Sequence, residues 1–409
     1  MKILLINQSF YPDVIAVAQY ATDLAVALAV RGHEVTVLTG DHGYDDPKVS
    51  YSKYEEYRRV RIIRIPYLRL GRKSHAGRLL DLFSFHLNLA LKLGFIPTQD
   101  VVIGMTLPPF VAFWSALFCR FKGGEHIYWV MDMNPDEAFA AGWLKAVSLL
   151  GRILTASQRW IFKQSRAVVA LDHFMKERIE RHYGVGGNKI SVVAPWAHDQ
   201  WIHPVSHSDN RFRKDHDWDG RFVVMYSGNH SICHPLDTLL KVALHYRSDK
   251  KMVFCFVGGG VRREEVRKFK EENRLTNILQ FSYEPIENLS QSLSAADLHV
   301  SVMGNDYVGI VHPCKVYGIL SVGRPFIFIG RKESPTGEWM EETGLGEHVE
   351  HGDVKGLVRA IEKARMMSVQ ERKQILERSV ALKDSRFGHS RLEEMINVIE
   401  GKYAKINSA

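Results

Sequence analysis

Cysteine is scarce in this chain: four residues in 409, at positions 119, 233, 255 and 314, with neither metal-ligand spacing nor a pairing pattern. That argues against a disulfide framework or a cysteine zinc site and fits a reducing cytoplasm. Long apolar runs are lacking as well. No stretch approaches the ~20 apolar residues of a membrane-spanning helix, and the apolar run at residues 3–6 is too short for a signal peptide. Low-complexity tracts are absent, and 45% apolar with 24% charged residues is ordinary for a globular protein. Acidic residues are missing from positions 58–78, which hold eight Lys or Arg. No aromatic-basic interleaving or recognition module accompanies that stretch, so nucleic acid is a poor candidate partner.

The length is more than one core would use and points to two domains of about 150–200 residues. Residues 3–7 read as a buried strand, 17–30 as a helix stopped at Gly32, and 34–39 as a second strand. This is a βαβ start, which implies a parallel sheet with right-handed crossovers. Further strands are expected at 60–65, 100–103, 126–130, 167–171 and 190–193. A second alternating run begins near 222, with strands at 222–227, 252–257, 278–281, 298–303 and 326–329 and helices between them. Two such runs predict two doubly wound α/β domains: 1–202, a polar linker 203–220, and 221–386, with a final helix at roughly 389–403 within 387–409.

Residues 309–325 carry the most information. An apolar strand runs into a glycine-bearing loop, Pro313 is expected as the first residue of a helix, Lys315 falls in its first turn, and Gly323 ends it. A loop feeding a helix N-terminus offers free N–H groups and the positive end of the dipole to an anion. With the charge of Lys315 added, this suits a diphosphate.

The chain resembles the retaining group-1, family 4-like glycosyltransferases of the GT-B fold, in the branch that builds bacterial O-antigen, capsule and exopolysaccharide. The motifs that carry the resemblance span nearly all of it. In the first half they are Tyr11-Pro12, Arg31-Gly32-His33-Glu34-Val35 and Asp132-Met133-Asn134-Pro135-Asp136. In the second they are Tyr226-Ser227-Gly228-Asn229, Phe256-Val257-Gly258-Gly259-Gly260, Ala295-Ala296-Asp297-Leu298, Pro313-Cys314-Lys315-Val316-Tyr317 and Gly323-Arg324-Pro325. The resemblance implies two Rossmann-like domains facing a cleft, with the final helix crossing back to the N-terminal domain. It also implies a nucleotide-sugar donor, UDP-sugar favoured, and no bound metal or other cofactor. Several positions depart from the family pattern: the usual glutamates are replaced by Ile310 and Gly318. Asn229 and His234 stand where Arg and Lys are usual, and residues 15–18 replace a glycine pair.

The donor-binding residues expected on this basis are Gly228, Asn229, His234, Gly258, Gly259, Glu284, Gly309, Pro313, Cys314 and Lys315. Glu284 would lie beside the nucleobase or in a plain surface turn. Asp132, just after an apolar strand, is the candidate catalytic residue, to orient the acceptor hydroxyl or take its proton. It precedes a helical run at 137–150, so capping is the alternative, and for Asp136 the favoured one. Asp215, Asp217 and Asp219 offer carboxylates, but in a linker. Tyr11, Arg69, Arg72 and Lys73 are candidates for the acceptor or an anionic membrane surface. The basic stretch is followed by apolar residues 79–95, a combination that suits a bilayer or a diphosphate-lipid acceptor. Residues 110–121, with Trp114 and Phe118, either continue that surface or belong to the core. The function expected is a cytoplasmic glycosyltransferase, peripheral on the inner membrane face, acting on a lipid-linked envelope glycan. The rivals are a non-hydrolysing nucleotide-sugar epimerase and a donor-binding partner subunit without catalysis.

Overall fold

The computed structural model describes residues 1–44, 46–70, 75–197 and 201–402. The chain forms two compact units. The first comprises Met1–Ala194, Gly309–His312 and the chain from Leu392, and the second Pro195–Val308 and Pro313–Arg391.

The first unit is built on eight strands: β1 (Lys2–Ile6), β2 (Glu34–Gly40), β3 (Tyr54–Tyr57), β4 (Val60–Ile65), β5 (Val101–Gly104), β6 (Glu125–Trp129), β7 (Ala167–Ala170) and β8 (Ile190–Val192), in the order β3-β4-β2-β1-β5-β6-β7-β8. All neighbours are parallel except β3, which pairs antiparallel with β4. The central strands read as continuous apolar runs because both faces are covered. The helices are α1 (Ala16–Val30), α2 (His75–Gly94), α3 (Val111–Lys122), α4 (Asp136–Ala140), α5 (Leu149–Gln164) and α6 (His173–Tyr183).

The second unit opens with α7 (Arg211–Asp215). It continues through β9 (Phe222–Ser227), α8 (Asp237–His245), β10 (Met252–Val257), α9 (Arg263–Glu272), β11 (Ile278–Phe281), α10 (Leu289–Ser294) and β12 (Leu298–Val302). It ends with α11 (Lys315–Val322), β13 (Phe326–Ile329), α12 (Pro335–Thr343), β14 (Glu347–Val349), α13 (Val354–Arg365) and α14 (Val369–Arg386). Its sheet runs β11-β10-β9-β12-β13-β14, entirely parallel. The last helix, α15 (His389–Ile399), belongs to the first unit from Leu392 onward. There Arg166 donates to the Val398 and Ile399 carbonyls, and Glu400 meets His33 at 3.0 Å.

The expected boundaries differ in several places, beginning with the end of the first unit, which is Ala194 rather than 202. Residues 203–220 are not a linker but part of the second unit. Buried Arg213 donates to the carbonyls of Ala295, Trp218 and Arg221 and to Asp297 at 2.7–3.0 Å, and Trp218 is fully buried. The helical run at 137–150 is two helices, because Gly142 turns left-handed and Ser148 caps α5 through the Gly151 N–H. Pro313 lies outside α11, whose N-cap is Cys314.

Candidate active site

In the second unit the ladder register brings Ser227, Val257 and Phe281 side by side at the carboxyl edge of β9, β10 and β11, the edge where open α/β sheets bind ligands. The bonding continues one residue further: Gly228 N–H donates to Val257 O at 2.9 Å and Gly258 N–H to Phe281 O at 3.0 Å. Both glycines have φ near +126°, which side chains rarely tolerate. A Cβ on Gly258 would overlap the Gly228 carbonyl oxygen, and one on Gly228 would lie 2.8 Å from Lys315 Cε. The Lys315 side chain is therefore laid directly across the Gly228 backbone.

Lys315 opens α11, and its Nζ sits 5.2 Å from the centre of the Tyr226 ring. The Tyr226 hydroxyl donates to the Asn229 carbonyl at 2.8 Å, so one side chain braces the loop and receives the cation. Burial pulls the Lys315 pKa down to about 8. His230 donates its backbone N–H to Gly259 O at 2.7 Å, and its Nδ1 lies 3.2 Å from the same oxygen. Burial, then the charge of Lys315, lowers His230 to about 4 and holds His234 well below the usual imidazole range. Three buried nitrogens here have no hydrogen-bond partner: His230 Nε2, His234 Nδ1 and Arg262 Nε. Orphaned polar atoms around a desolvated cation at a helix N-terminus make an environment that an anion would relieve.

Glu284 is half-buried in the next loop, with Asn288 Nδ2 3.5 Å away. The ring of its neighbour Tyr283 lies 3.4 Å from where a Gly258 Cβ would be. Cys314 and Pro313 precede α11, and Gly259 contributes its carbonyl to His230.

Gly309, expected with these residues, belongs instead to the first unit, as do Ile310, Val311 and His312. Gly309 has φ +71°, and a Cβ there would lie 2.7 Å from Phe174 O. Ile310 O accepts from Met133 N–H at 2.9 Å, and Val311 bridges Asp132. His312 Nδ1 lies 2.7 Å from Asp172 Oδ2, while the other oxygen of Asp172 caps α6 through the Met175 N–H at 2.8 Å. Ile310 is buried. Gly318, at the other position where a glutamate is usual, faces Leu293 Cδ1 and Ile202 Cδ1, at 3.2 and 3.9 Å from an added Cβ. A carboxylate at 310 would therefore be buried, while a side chain at the half-buried Gly318 would need Leu293 to give way by a few tenths of an ångström.

Also in the first unit, burial, reinforced by the charge of Glu137, raises Asp132 to about 7. Asp136 does not cap α4. It accepts from Arg178 Nε at 2.7 Å and from the Tyr183 hydroxyl, because the cation and the phenol that need an acceptor lie behind it on α6. Tyr11 stacks on Tyr57 with centroids 3.8 Å apart. Arg69 donates to Pro47 O at 3.2 Å and Ser50 Oγ at 2.8 Å and approaches Asp41, so it ties down a loop of its own unit. Arg72 and Lys73 lie outside the described residues. Sequence reasoning missed Tyr226, Tyr283, Arg262 and the His312–Asp172 pair. Only the tyrosine beside Gly228, already part of a quoted motif, left a usable signal.

Residues 16–196 match the family model of the glycosyl transferase 4-like domain. The chain is 25% identical over 386 residues to WcaI of Escherichia coli (strain K12), by name a colanic acid biosynthesis glycosyl transferase, across 90% of this chain and 93% of that protein. It is 23% identical over 267 residues to WbjE of Pseudomonas aeruginosa, by name a glycosyltransferase. That match covers 64% of this chain and 65% of the relative, just under two thirds. Among solved structures, WaaG, a glycosyltransferase involved in lipopolysaccharide biosynthesis, matches with a TM-score of 0.72 at 17% identity over 98% of this chain and 100% of its own. Anabaena HepE, solved with UDP and glucose, matches at 0.71 and 14% identity over 98% and 99%. Two parallel-sheet Rossmann-like units with these likenesses define the GT-B architecture. Residues 16–196 thus match the glycosyl transferase 4-like family, and the chain as a whole is similar to glycosyltransferases of the GT-B fold.

Proposed function

We propose that this chain transfers a sugar, with retention, from a nucleoside diphosphate sugar to a lipid-linked cell-envelope glycan at the inner face of the cytoplasmic membrane. The observation that carries the donor half is Lys315: a desolvated cation at a helix N-terminus, laid over Gly228, with no ion-pair partner among the described residues. A diphosphate there would meet the ammonium and the free N–H groups of α11. Charge growing on the leaving diphosphate would be stabilised by groups already in place, which is where the largest rate contribution is expected. Asn229, His234, Gly258, Gly259, Pro313 and Cys314 would shape the same pocket, and Glu284 with Tyr283 would stand at its nucleobase end. No bound metal is required in this reading, because lysine and helix supply the positive charge. HepE, solved with UDP and glucose, supports a UDP-sugar donor, and WcaI and WaaG support an envelope polysaccharide product. Asp132, titrating near neutrality, would orient the acceptor hydroxyl or take its proton.

Ile310 and Gly318 favour a second reading, a donor-binding partner subunit without catalysis, because neither residue supplies a carboxylate to the donor hydroxyls. Thermal-shift titration with UDP, GDP and their sugars tests the donor site, and no stabilisation by any of them would refute it. Release of nucleoside diphosphate only when a lipid-linked acceptor is added separates transfer from mere binding. NMR of the product's anomeric centre tests retention.

A further inference from the structure

Helix α2 is apolar on two sides. Phe85, Leu89 and Leu93 enter the core of the first unit. Its outer side carries a second series at four-residue spacing, Leu79, Phe83, Leu87 and Leu91, all exposed, with Leu79 and Phe83 each 66% accessible; Phe95, just past the helix end, is 84% accessible. A helix apolar all round is ordinarily buried, and this one is covered on one side only. The neighbouring layer repeats the pattern. α3 packs beside α2, and α5 beside α3, on one face of the eight-stranded sheet. Trp143 and Val147, ahead of α5, and Leu149, Leu150 and Ile153 at its start are likewise exposed. By contrast Trp114, which donates to His86, and Phe118 of α3 pack toward the core, leaving Phe121 outside. Among the described residues, 19 exposed large apolar side chains lie in the first unit and three, Val261, Met366 and Val369, in the second.

Charge selects the occupant. Residues 57–124 hold eleven Lys or Arg against two acidic residues, Asp81 and Asp100, and residues 138–171 hold five against none. Both acids are engaged: Asp81 accepts from the Leu70 N–H and Asp100 from the Lys2 N–H. No helix among the described residues is long and apolar enough to cross a membrane. An apolar stripe about 25 Å long on a predominantly basic background, lying along the surface, matches the interface of an anionic bilayer.

We propose that the α2 stripe, with the start of α5, is a membrane-docking face that inserts into anionic lipid. This rests on the reading above that the acceptor is a membrane lipid, and it is tested apart from it. Full-length protein is sedimented with vesicles of phosphatidylcholine alone and of phosphatidylcholine containing phosphatidylglycerol. Binding is expected on the anionic vesicles, weakening as salt rises. The triple variant Leu79→Ser/Phe83→Ser/Leu87→Ser should bind at least tenfold more weakly, as should Trp143→Ser/Leu150→Ser. Met366→Ser/Val369→Ser should bind as wild type. Circular dichroism melts should be unchanged, since every altered side chain is exposed. Absence of wild-type binding would overturn the proposal, as would undiminished binding by the triple variant. So would a concentration-dependent dimer, seen by light scattering, that the triple variant abolishes while vesicles remain unbound; that outcome would assign the face to a second copy. The assay contains neither donor nor acceptor, so its failure and that of the donor-site reading are distinguishable.

Discussion

Replacing Lys315 with methionine should stabilise the unliganded protein and abolish its affinity for a diphosphate. The ammonium falls from an ordinary value of 10.5 to about 8 through burial, which corresponds to about 3 kcal/mol held against folding at neutral pH. Lys315 is only partly buried, so about half of that is a realistic figure. Loss of the contact with the Tyr226 ring subtracts about 0.5 kcal/mol, while methionine keeps most of the packing over Gly228. The net gain is about 1 kcal/mol, a Tm rise of about 2–4 °C for a unit of this size. The sign depends on pH. Folding lowers this pKa, so the unfolded chain holds more protons between about pH 8 and 10.5, and wild-type stability rises across that window. The advantage of Lys315→Met should be full below pH 8 and gone by about 10.5. Denaturant melts at pH 7 and 10, with and without UDP, read both effects. A variant less stable than wild type at pH 7 that still gains stability from UDP would refute the reasoning.

Other expectations follow from the same geometry. UDP affinity should fall as pH rises above about 8, where free Lys315 loses its proton, and Lys315→Arg should remove that limb in calorimetric titrations. Asp132 is raised to about 7, so its contribution to stability is present at low pH and lost as pH rises through 7; Asp132→Asn should melt higher than wild type at pH 8 and lower the transfer rate. Asp172→Ala removes both the α6 cap and the partner of His312, and should destabilise the first unit by about 2 kcal/mol in urea melts. Arg213→Ala strands several buried acceptors and should cost the second unit about 3–5 kcal/mol, with UDP binding recovered at low temperature if the site itself is untouched.

The alternation of strand and helix was readable because parallel strands covered on both faces, such as Phe222–Ser227 and Met252–Val257, are continuous apolar words in the chain. The strand Tyr54–Tyr57 escaped notice because it is a half-exposed hairpin edge with two glutamates. Residues 203–220 look like a linker because they are polar, yet the group that folds them is Arg213, two of whose acceptors, Ala295 and Asp297, lie about 80 residues away. The positions of Gly228 and Lys315 follow from local rules for strand ends and helix starts. That the two touch, or that Ile202 and Leu293 close over Gly318, depends on non-local packing that no spacing encodes.

Gly318 has a consequence for how such a site changes over generations. A side chain introduced there alone would bring its Cβ to 3.2 Å from Leu293 Cδ1, and a glutamate at 310 would start from a buried position. Passage between this pattern and one with two carboxylates is therefore expected to cost stability at first, less so where the neighbours have already changed. Grafting the two glutamates onto this chain should lower its melting temperature, and changing Leu293 to a smaller residue should recover part of the loss.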